Sequence, residues 1–210
     1  MYRQLRVRNK ALLAHRNKAL WLYRRVCRPT GREWAEHLRR FGGLYHLGND
    51  CSILPSAAII EPAYTWIGDR VCLGTCMLIC HDGSIETLQR RYGVKIDRIG
   101  PVILESDVYV GEGAMILGGG GGTRIGEGSV IGAGSVVRQS VPAGSVVMGN
   151  PAKVVARVQD MLRFWEADML DLPWADLIAR REGGDAAMEP ELQRLRQTYF
   201  FEGEGLPRSS

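Results

Sequence analysis

Four histidines stand in the chain, His15, His37, His46 and His81, and only His81 falls among glycine- and valine-rich repeats. It opens the run Cys80-His81-Asp82-Gly83. Imidazole ordinarily titrates near neutral pH, so a histidine can take up a proton and return it. A lone histidine without further context is more often structural. Asp82 is adjacent and could orient the ring; Glu61, Glu86 and Glu112 are the alternatives. Asp-Gly is also turn chemistry in its own right. From Asp82 to Gly100 the chain carries Arg90, Arg91, Tyr92, Lys95 and Arg98, a cationic patch suited to a phosphorylated or nucleotide-linked substrate. Cys72, Cys76 and Cys80 would share one face of a helix, but in a repeat of six they scatter, so no metal site is expected. Gly126-x-Gly128 and the five glycines Gly118 to Gly122 lack the Lys-Ser/Thr and the following helix of a phosphate loop.

The elements that must hold these residues follow from a period. Between 47 and 157 aliphatic residues recur every six positions: Ile53 and Ile59; Ile67, Leu73 and Ile79; Leu104, Val110 and Ile116; Ile125, Ile131 and Val137. Gly follows many of them, as in Ile67-Gly68, Leu73-Gly74 and Val110-Gly111. A period of six is neither helical nor a simple alternation. It describes a coil with one short strand per hexad and a tight turn between strands, three hexads closing one triangular rung. The aliphatic residue points inward and stacks on its copies, as in other solenoids. The period lapses between Ile79 and Leu104, giving a long loop over 80–102, and stretches to nine residues between Ile116 and Ile125. Breaks of this kind map to loops, often on the binding face. The five-glycine stretch is expected to be a bulged, mobile turn.

Both flanks read as helical. Over 1–46, Leu5, Leu12, Leu13, Ala19, Leu20, Tyr23, Val26 and Cys27 form one stripe, and Trp34, Leu38 and Phe41 a second, shorter one. Pro29, Thr30 and Gly31 separate the two helices, and Gly42-Gly43 close the second. Over 158–210, Val158, Leu162 and Trp165, then Trp174, Leu177 and Ile178, then Leu192, Leu195 and Tyr199 mark three helices, with a linker at Gly183-Gly184-Asp185. Residues 1–40 hold 12 Lys and Arg against 2 Glu; the remainder holds 15 against 21 Asp and Glu. A basic amphipathic head on an acidic body suits either an anionic membrane surface or packing on the coil. No motif supports nucleic-acid binding. With 210 residues and 45% hydrophobic composition the chain builds a core without staples. Five cysteines, an odd number, and no signal-peptide or membrane-spanning pattern imply a cytoplasmic protein, peripheral to a membrane at most.

The stretch IGEGSVIGAGSVVRQSVPAGSVVMGNPAKVV, Ile125 to Val155, resembles the closing coil of hexapeptide-repeat acyltransferases of the O-acetyltransferase type. The resemblance covers roughly residues 50–157 and implies a mainly β fold, a left-handed parallel β-helix with helical extensions at both ends. It implies that His81 is the general base, deprotonating an acceptor hydroxyl as that oxygen attacks the thioester of acetyl-CoA in direct transfer. Asp82, Tyr109, Arg90 and Arg91 then fall on the acceptor side. Gly111, Glu112 and Ala133 fall along the thioester and pantetheine arm, with Tyr109 and Glu112 beside His81. Arg138 and Lys153 would meet the CoA phosphates. Many relatives have Trp where this chain has Tyr109, and some have Ser at Glu112, whose backbone N–H is the part that carries over. In this family the turn at the five glycines is usually shorter. The resemblance further implies a homotrimer with sites between subunits and no metal; carbonic anhydrases of the same architecture need three His ligands. The expected acceptor is a sugar hydroxyl of a glycan or glycolipid precursor. Amino-sugar N-acylation, xenobiotic O-acetylation and a non-enzymatic scaffold are the alternatives.

Overall fold

Aliphatic residues spaced by about one hexad stack in three columns, and these columns are the core. The computed structural model describes residues 20–21, 23–181 and 186–202. The stripe expected from Leu5 to Ala19 and the linker at Gly183-Gly184-Asp185 lie outside the described residues. Contacts divide the chain into two units, 1–158 and 159–210.

Four rungs of three short strands build the first unit. They are β1 (His46–Leu47), β2 (Ser52–Ile53) and β3 (Ala58–Ile59); β4 (Thr65–Ile67), β5 (Cys72–Leu73) and β6 (Met77–Ile79); β7 (Val102–Leu104), β8 (Tyr109–Val110) and β9 (Met115–Leu117); β10 (Thr123–Ile125), β11 (Val130–Ile131) and β12 (Val136–Val137). Corresponding strands pair in parallel, giving three sheets along the faces of the coil: β1-β4-β7-β10, then β2-β5-β8-β11, then β3-β6-β9-β12. The second sheet continues into β13 (Ser145–Met148), and β14 (Lys153–Arg157) returns antiparallel to it and ends the coil. The architecture is that of a parallel β-helix with three sheets.

Register aligns the columns: Leu47, Ile67, Leu104 and Ile125; Ile53, Leu73, Val110, Ile131 and Val147; Ile59, Leu78, Ile116 and Val137. All but Ile59 are buried. Withdrawing one such side chain from water is worth about 1.5–3 kcal/mol, so the columns hold the rungs together.

One member of the hexad series is displaced. Leu78, not Ile79, points inward: Leu78 is fully buried and both Met77 and Ile79 face out. The corner after Leu73 is one residue shorter than the corner after Val110. The Cys76 N–H reaches back to the Gly74 carbonyl (2.8 Å), which tightens it. The phase shift carries onward, so Cys80 is buried and His81 faces out.

Ion pairs between rungs add a pH-dependent stitch. The Arg70 guanidinium donates to both oxygens of Asp107 (2.7 and 2.6 Å), and Arg124 donates to Glu105 (2.7 Å). Arg70 and Arg124 hold these two carboxyls below their ordinary values. A carboxyl lowered in the folded state contributes stability above its unfolded pKa and loses it as pH falls through the folded one. The thermal midpoint should therefore decline below about pH 4, and Asp107→Asn should flatten that decline in a melting series from neutral to acid pH. An unchanged slope would mean that the pair is fully screened.

Helix α1 (Gly31–Phe41) starts at a reciprocal capping box: the Thr30 N–H donates to Glu33 Oε2 (2.7 Å) and the Glu33 N–H to Thr30 Oγ1 (3.3 Å). Its Trp34 and Ala35 are buried in the coil core, and Arg39 donates to the carbonyls of Leu47 and Gly48 (both 2.5 Å). Trp34 and Ala35 thus pack this helix on the coil, while Phe41 at its end stays exposed. No helix among the described residues is long and apolar enough to cross a membrane.

The long break in the period is not only loop. Helix α2 (Ser84–Tyr92) occupies its first half and ends at Gly93 in the left-handed region (φ 66°). In the second unit, α3 (Val158–Leu170, whose first residue belongs to the coil unit), α4 (Ala175–Ala179) and α5 (Glu189–Gln197) carry the three apolar clusters foreseen. There Trp174 and Leu192 are buried, and the Trp174 ring lies edge-on to Tyr199 (5.4 Å).

Candidate active site

Stacked corners bring His81 its partner. Because Ile59 registers with Leu78, the corner after β3 lies against the corner after β6, and Glu61 falls beside Cys80 and His81. Glu61 uses both carboxylate oxygens. Oε2 accepts the Cys80 N–H (2.9 Å), and Oε1 pairs with His81 Nδ1. The Cys80 thiol sits in a pocket of backbone oxygens from Glu61 and Tyr64, which anchors the strand end just before the histidine. Of the alternatives for orienting the ring, Glu61 is thus the one in contact. With Nδ1 held, Nε2 is the open nitrogen. It points toward Gly83, where an added Cβ would stand 3.5 Å away.

Asp82 does not turn to the imidazole. Its Oδ1 accepts the Ser84 N–H (3.0 Å) and hydroxyl (2.7 Å), which starts α2. The Ser84 hydroxyl and N–H bonds, followed by the Arg98 and His81 charges, hold the Asp82 carboxyl below its ordinary value.

The stems of the break are zipped together. His81 bridges Ile99 in antiparallel sense; the Gly100 N–H donates to the Cys80 carbonyl (2.8 Å) and the Asp82 N–H to the Arg98 carbonyl (3.2 Å). The cleft so formed has a volume of about 740 Å³ and is lined by His81, Asp82, Arg98, Arg138, Gly119 and outward residues of the third sheet such as Ile79 and Leu117. Arg90 and Arg91 do not line it. They sit in the last turn of α2, Arg90 paired with Glu86. Arg98 stands in the cleft instead.

The five glycines form a bulged turn with defined bonds: the Gly118 N–H donates to the Ile79 carbonyl (2.7 Å) and the Gly122 N–H to the Gly118 carbonyl (2.7 Å). Gly120 and Gly122 are left-handed, both at φ 81°.

Tyr109, Gly111, Glu112 and Ala133 lie on or just after the second sheet, at the corner leading to the third. His81 lies at the corner leading out of the third. These residues therefore do not border the His81 cleft of the same chain. Tyr109 is exposed. The Gly111 N–H is spent on the Ile131 carbonyl (2.8 Å), and the Glu112 carboxylate accepts the Thr75 N–H (2.6 Å). Gly111 is needed for closeness: a Cβ there would meet Ala133 N at 2.8 Å. The N–H groups of Glu112 and Ala133 donate to no partner among the described residues. Arg138 and Lys153 share a neighbouring cleft of about 660 Å³, and Arg138 borders both clefts.

No group of three or more His, Cys, Asp or Glu among the described residues is placed to hold a metal ion. Burial pushes the Cys76 thiol up to about 12 and raises that of Cys51 as well, so neither is a nucleophile.

The four rungs and their inward columns define a hexapeptide-repeat β-helix, and the proteins it is similar to are acetyltransferases. The 2,3,4,5-tetrahydropyridine-2,6-dicarboxylate N-acetyltransferase of Staphylococcus aureus (strain JH9) is 48% identical over 61 residues, 29% of this chain and 24% of that protein. The match thus spans only 24% of the length of that curated relative. Among solved structures, the polySia-specific acetyltransferase NeuO is 27% identical over 53% of this chain and 51% of that one, with a TM-score of 0.44. The hexapeptide-repeat acetyltransferase VCA0836 of Vibrio cholerae O1 biovar eltor, complexed with acetyl coenzyme A, is 23% identical over 58% of this chain and 75% of that one, with a TM-score of 0.41. No protein-family model matches the sequence.

Proposed function

We propose that the chain is an acetyl-CoA-dependent acetyltransferase that moves the acetyl group directly to a sugar hydroxyl of a glycan precursor. The observation that carries this reading is the His81–Glu61 pair at the mouth of an open cleft. Nδ1–H donates to Glu61, which fixes the tautomer and leaves Nε2 to take the acceptor proton. The acceptor oxygen bonds to the thioester carbon, the C–S bond breaks, and the proton passes from His81 to the leaving thiolate. The free N–H groups of Glu112 and Ala133 are donors for the thioester and the pantetheine arm, and Tyr109 flanks them. Arg138 and Lys153 take the CoA phosphates. No metal is invoked.

The separation of His81 from the Tyr109–Ala133 corner favours a homotrimer in which one chain supplies each. Met77, Ile79, Met115, Leu117 and Val136 give the third sheet between these corners an outward apolar face. Packing that face on a second copy would bring the histidine of one chain to the donor corner of another. Amino-group acetylation is the second reading, favoured by the 48% identity to an N-acetyltransferase over 61 residues; the same base would serve it.

Excess acetyl-CoA tests the proposal. A ligand at about 100 times its Kd adds about 2.7 kcal/mol, which for a chain of this size raises the melting midpoint by several degrees. Sugar hydroxyl and amino-sugar acceptors should then release CoA thiol. A folded protein with no shift across acetyl-, propionyl- and butyryl-CoA would overturn the reading and favour a scaffold.

A further inference from the structure

One glycine of the five-glycine turn, Gly120, has a charged neighbour. An added Cβ at Gly120 would stand 2.6 Å from Arg98 Nη2 and 2.7 Å from Nε, so the guanidinium lies directly against the turn and a side chain there would displace it. Gly120 is also left-handed, at φ 81°, a conformation glycine adopts without strain. The backbone of Arg98 is fixed as well: its carbonyl accepts the Asp82 N–H and the next residue, Ile99, bridges His81. The backbone of Arg98 is therefore fixed at the wall of the His81 cleft, with its guanidinium beside the turn.

Its charge acts on the Asp82 carboxyl without being locked in an ion pair. Among the described residues Arg98 makes no ion pair, and neither does Arg138 in the same cleft. Asp82, which shares the cleft, takes its hydrogen bonds from Ser84 and not from Arg98, and Glu61 is held by Cys80 and His81. A guanidinium outside any ion pair and facing the cleft suits a planar or tetrahedral oxyanion, which arginine grips through paired N–H donors.

We propose that the polyglycine turn seats Arg98 as an anion-reading, specificity-determining residue beside His81, so that the acceptor carries a carboxylate or phosphate near the hydroxyl that is acetylated. The inference rests on the acetyltransferase reading for the word acceptor, but the anion subsite stands on its own geometry.

Three sugars of matched size test it: glucose, glucuronate and glucose 6-phosphate, at constant ionic strength. Direct binding by calorimetry should favour the two anions, and Arg98→Ala should weaken them by about 10-fold or more without changing the weak affinity for glucose. Arg98→Lys should keep part of the phosphate affinity and lose more of the carboxylate affinity, because a point charge cannot form the paired bonds. Gly120→Ala should imitate Arg98→Ala by displacing the guanidinium. Where that variant does not fold, the exposed Arg98 supplies Arg98→Gln as the second variant. Equal binding of glucose and both anions, or discrimination that survives Arg98→Ala and Arg98→Gln, would overturn the proposal. A rise in the KM for acetyl-CoA with acceptor preference intact would place the anion on the donor and overturn it too. Anion binding lost in Arg98→Ala, in a protein that acetyl-CoA does not stabilise, would uphold the subsite and reject the acetyltransferase reading.

Discussion

His81→Ala is expected to lower kcat for acetyl transfer by about 10²–10⁴-fold, the usual worth of a positioned general base. The loss should fall on kcat and on kcat/KM alike, because the imidazole acts when the acceptor proton leaves and not when acetyl-CoA docks. The acetyl-CoA stabilisation should persist, since the N–H groups offered to the donor belong to Glu112 and Ala133, on another corner of the coil. His81 is half-exposed at its side chain and carries no core packing, so the melting midpoint should change little. Stopped assays of thiol release, paired with melting curves with and without acetyl-CoA, separate the two effects. Transfer at the wild-type rate in the variant would remove His81 from the chemistry. Loss of the acetyl-CoA shift together with activity would instead make it a residue of the donor site.

The repeat made the coil legible because its cause is local. An inward aliphatic residue recurs about once per hexad, often with a glycine after it, and the stacked columns this predicts are observed in register. Leu78 shows the limit of counting. The six-residue spacing selects Ile79, but the Cys76–Gly74 turn drops one residue, and neither glycine nor cysteine content announces that. The consequence reaches the site, since the shift buries Cys80 and turns His81 outward. Glu61 could be narrowed to one of several carboxylates and no further. Its contact with His81 depends on which corner overlies which, a property of rung register across 20 positions. Helix α2 left a readable trace in Asp82-x-Ser84, the Glu86–Arg90 spacing and Gly93, hidden beneath the expectation that a broken period means a loop. Charge counting over that segment pointed to Arg90 and Arg91 as readily as to Arg98. Only the pairing of the two stems distinguishes the cation in the cleft from those on the helix.

Glu61→Gln carries the second large effect, and it isolates orientation from charge. The glutamine keeps the size of the side chain and can still accept the Cys80 N–H through its carbonyl oxygen, so the corner keeps its anchor. Its amide NH₂ then faces His81 Nδ1. Two donors cannot share that contact, so the neutral ring must present Nδ1 as acceptor and carry its proton on Nε2, the nitrogen that should receive the acceptor proton. A base held in the wrong tautomer is a poor base even when its position is unchanged; the equivalent exchange in a serine-protease triad costs about 10⁴-fold in kcat. With Glu61 half-buried and its partner histidine open to water, a loss of about 10²–10³-fold is expected here, with the acetyl-CoA melting shift retained. Imidazole ¹⁵N spectra of the neutral ring give the readout that mere structural damage would not produce: Nδ1 protonated in the wild type, Nε2 protonated in the variant. Glu61→Asp, which restores the carboxylate on a shorter arm, should recover the wild-type tautomer and part of the rate. A variant that exchanges tautomer without losing rate would separate Glu61 from catalysis. One that loses rate with the tautomer unchanged would assign the effect to the Cys80 anchor.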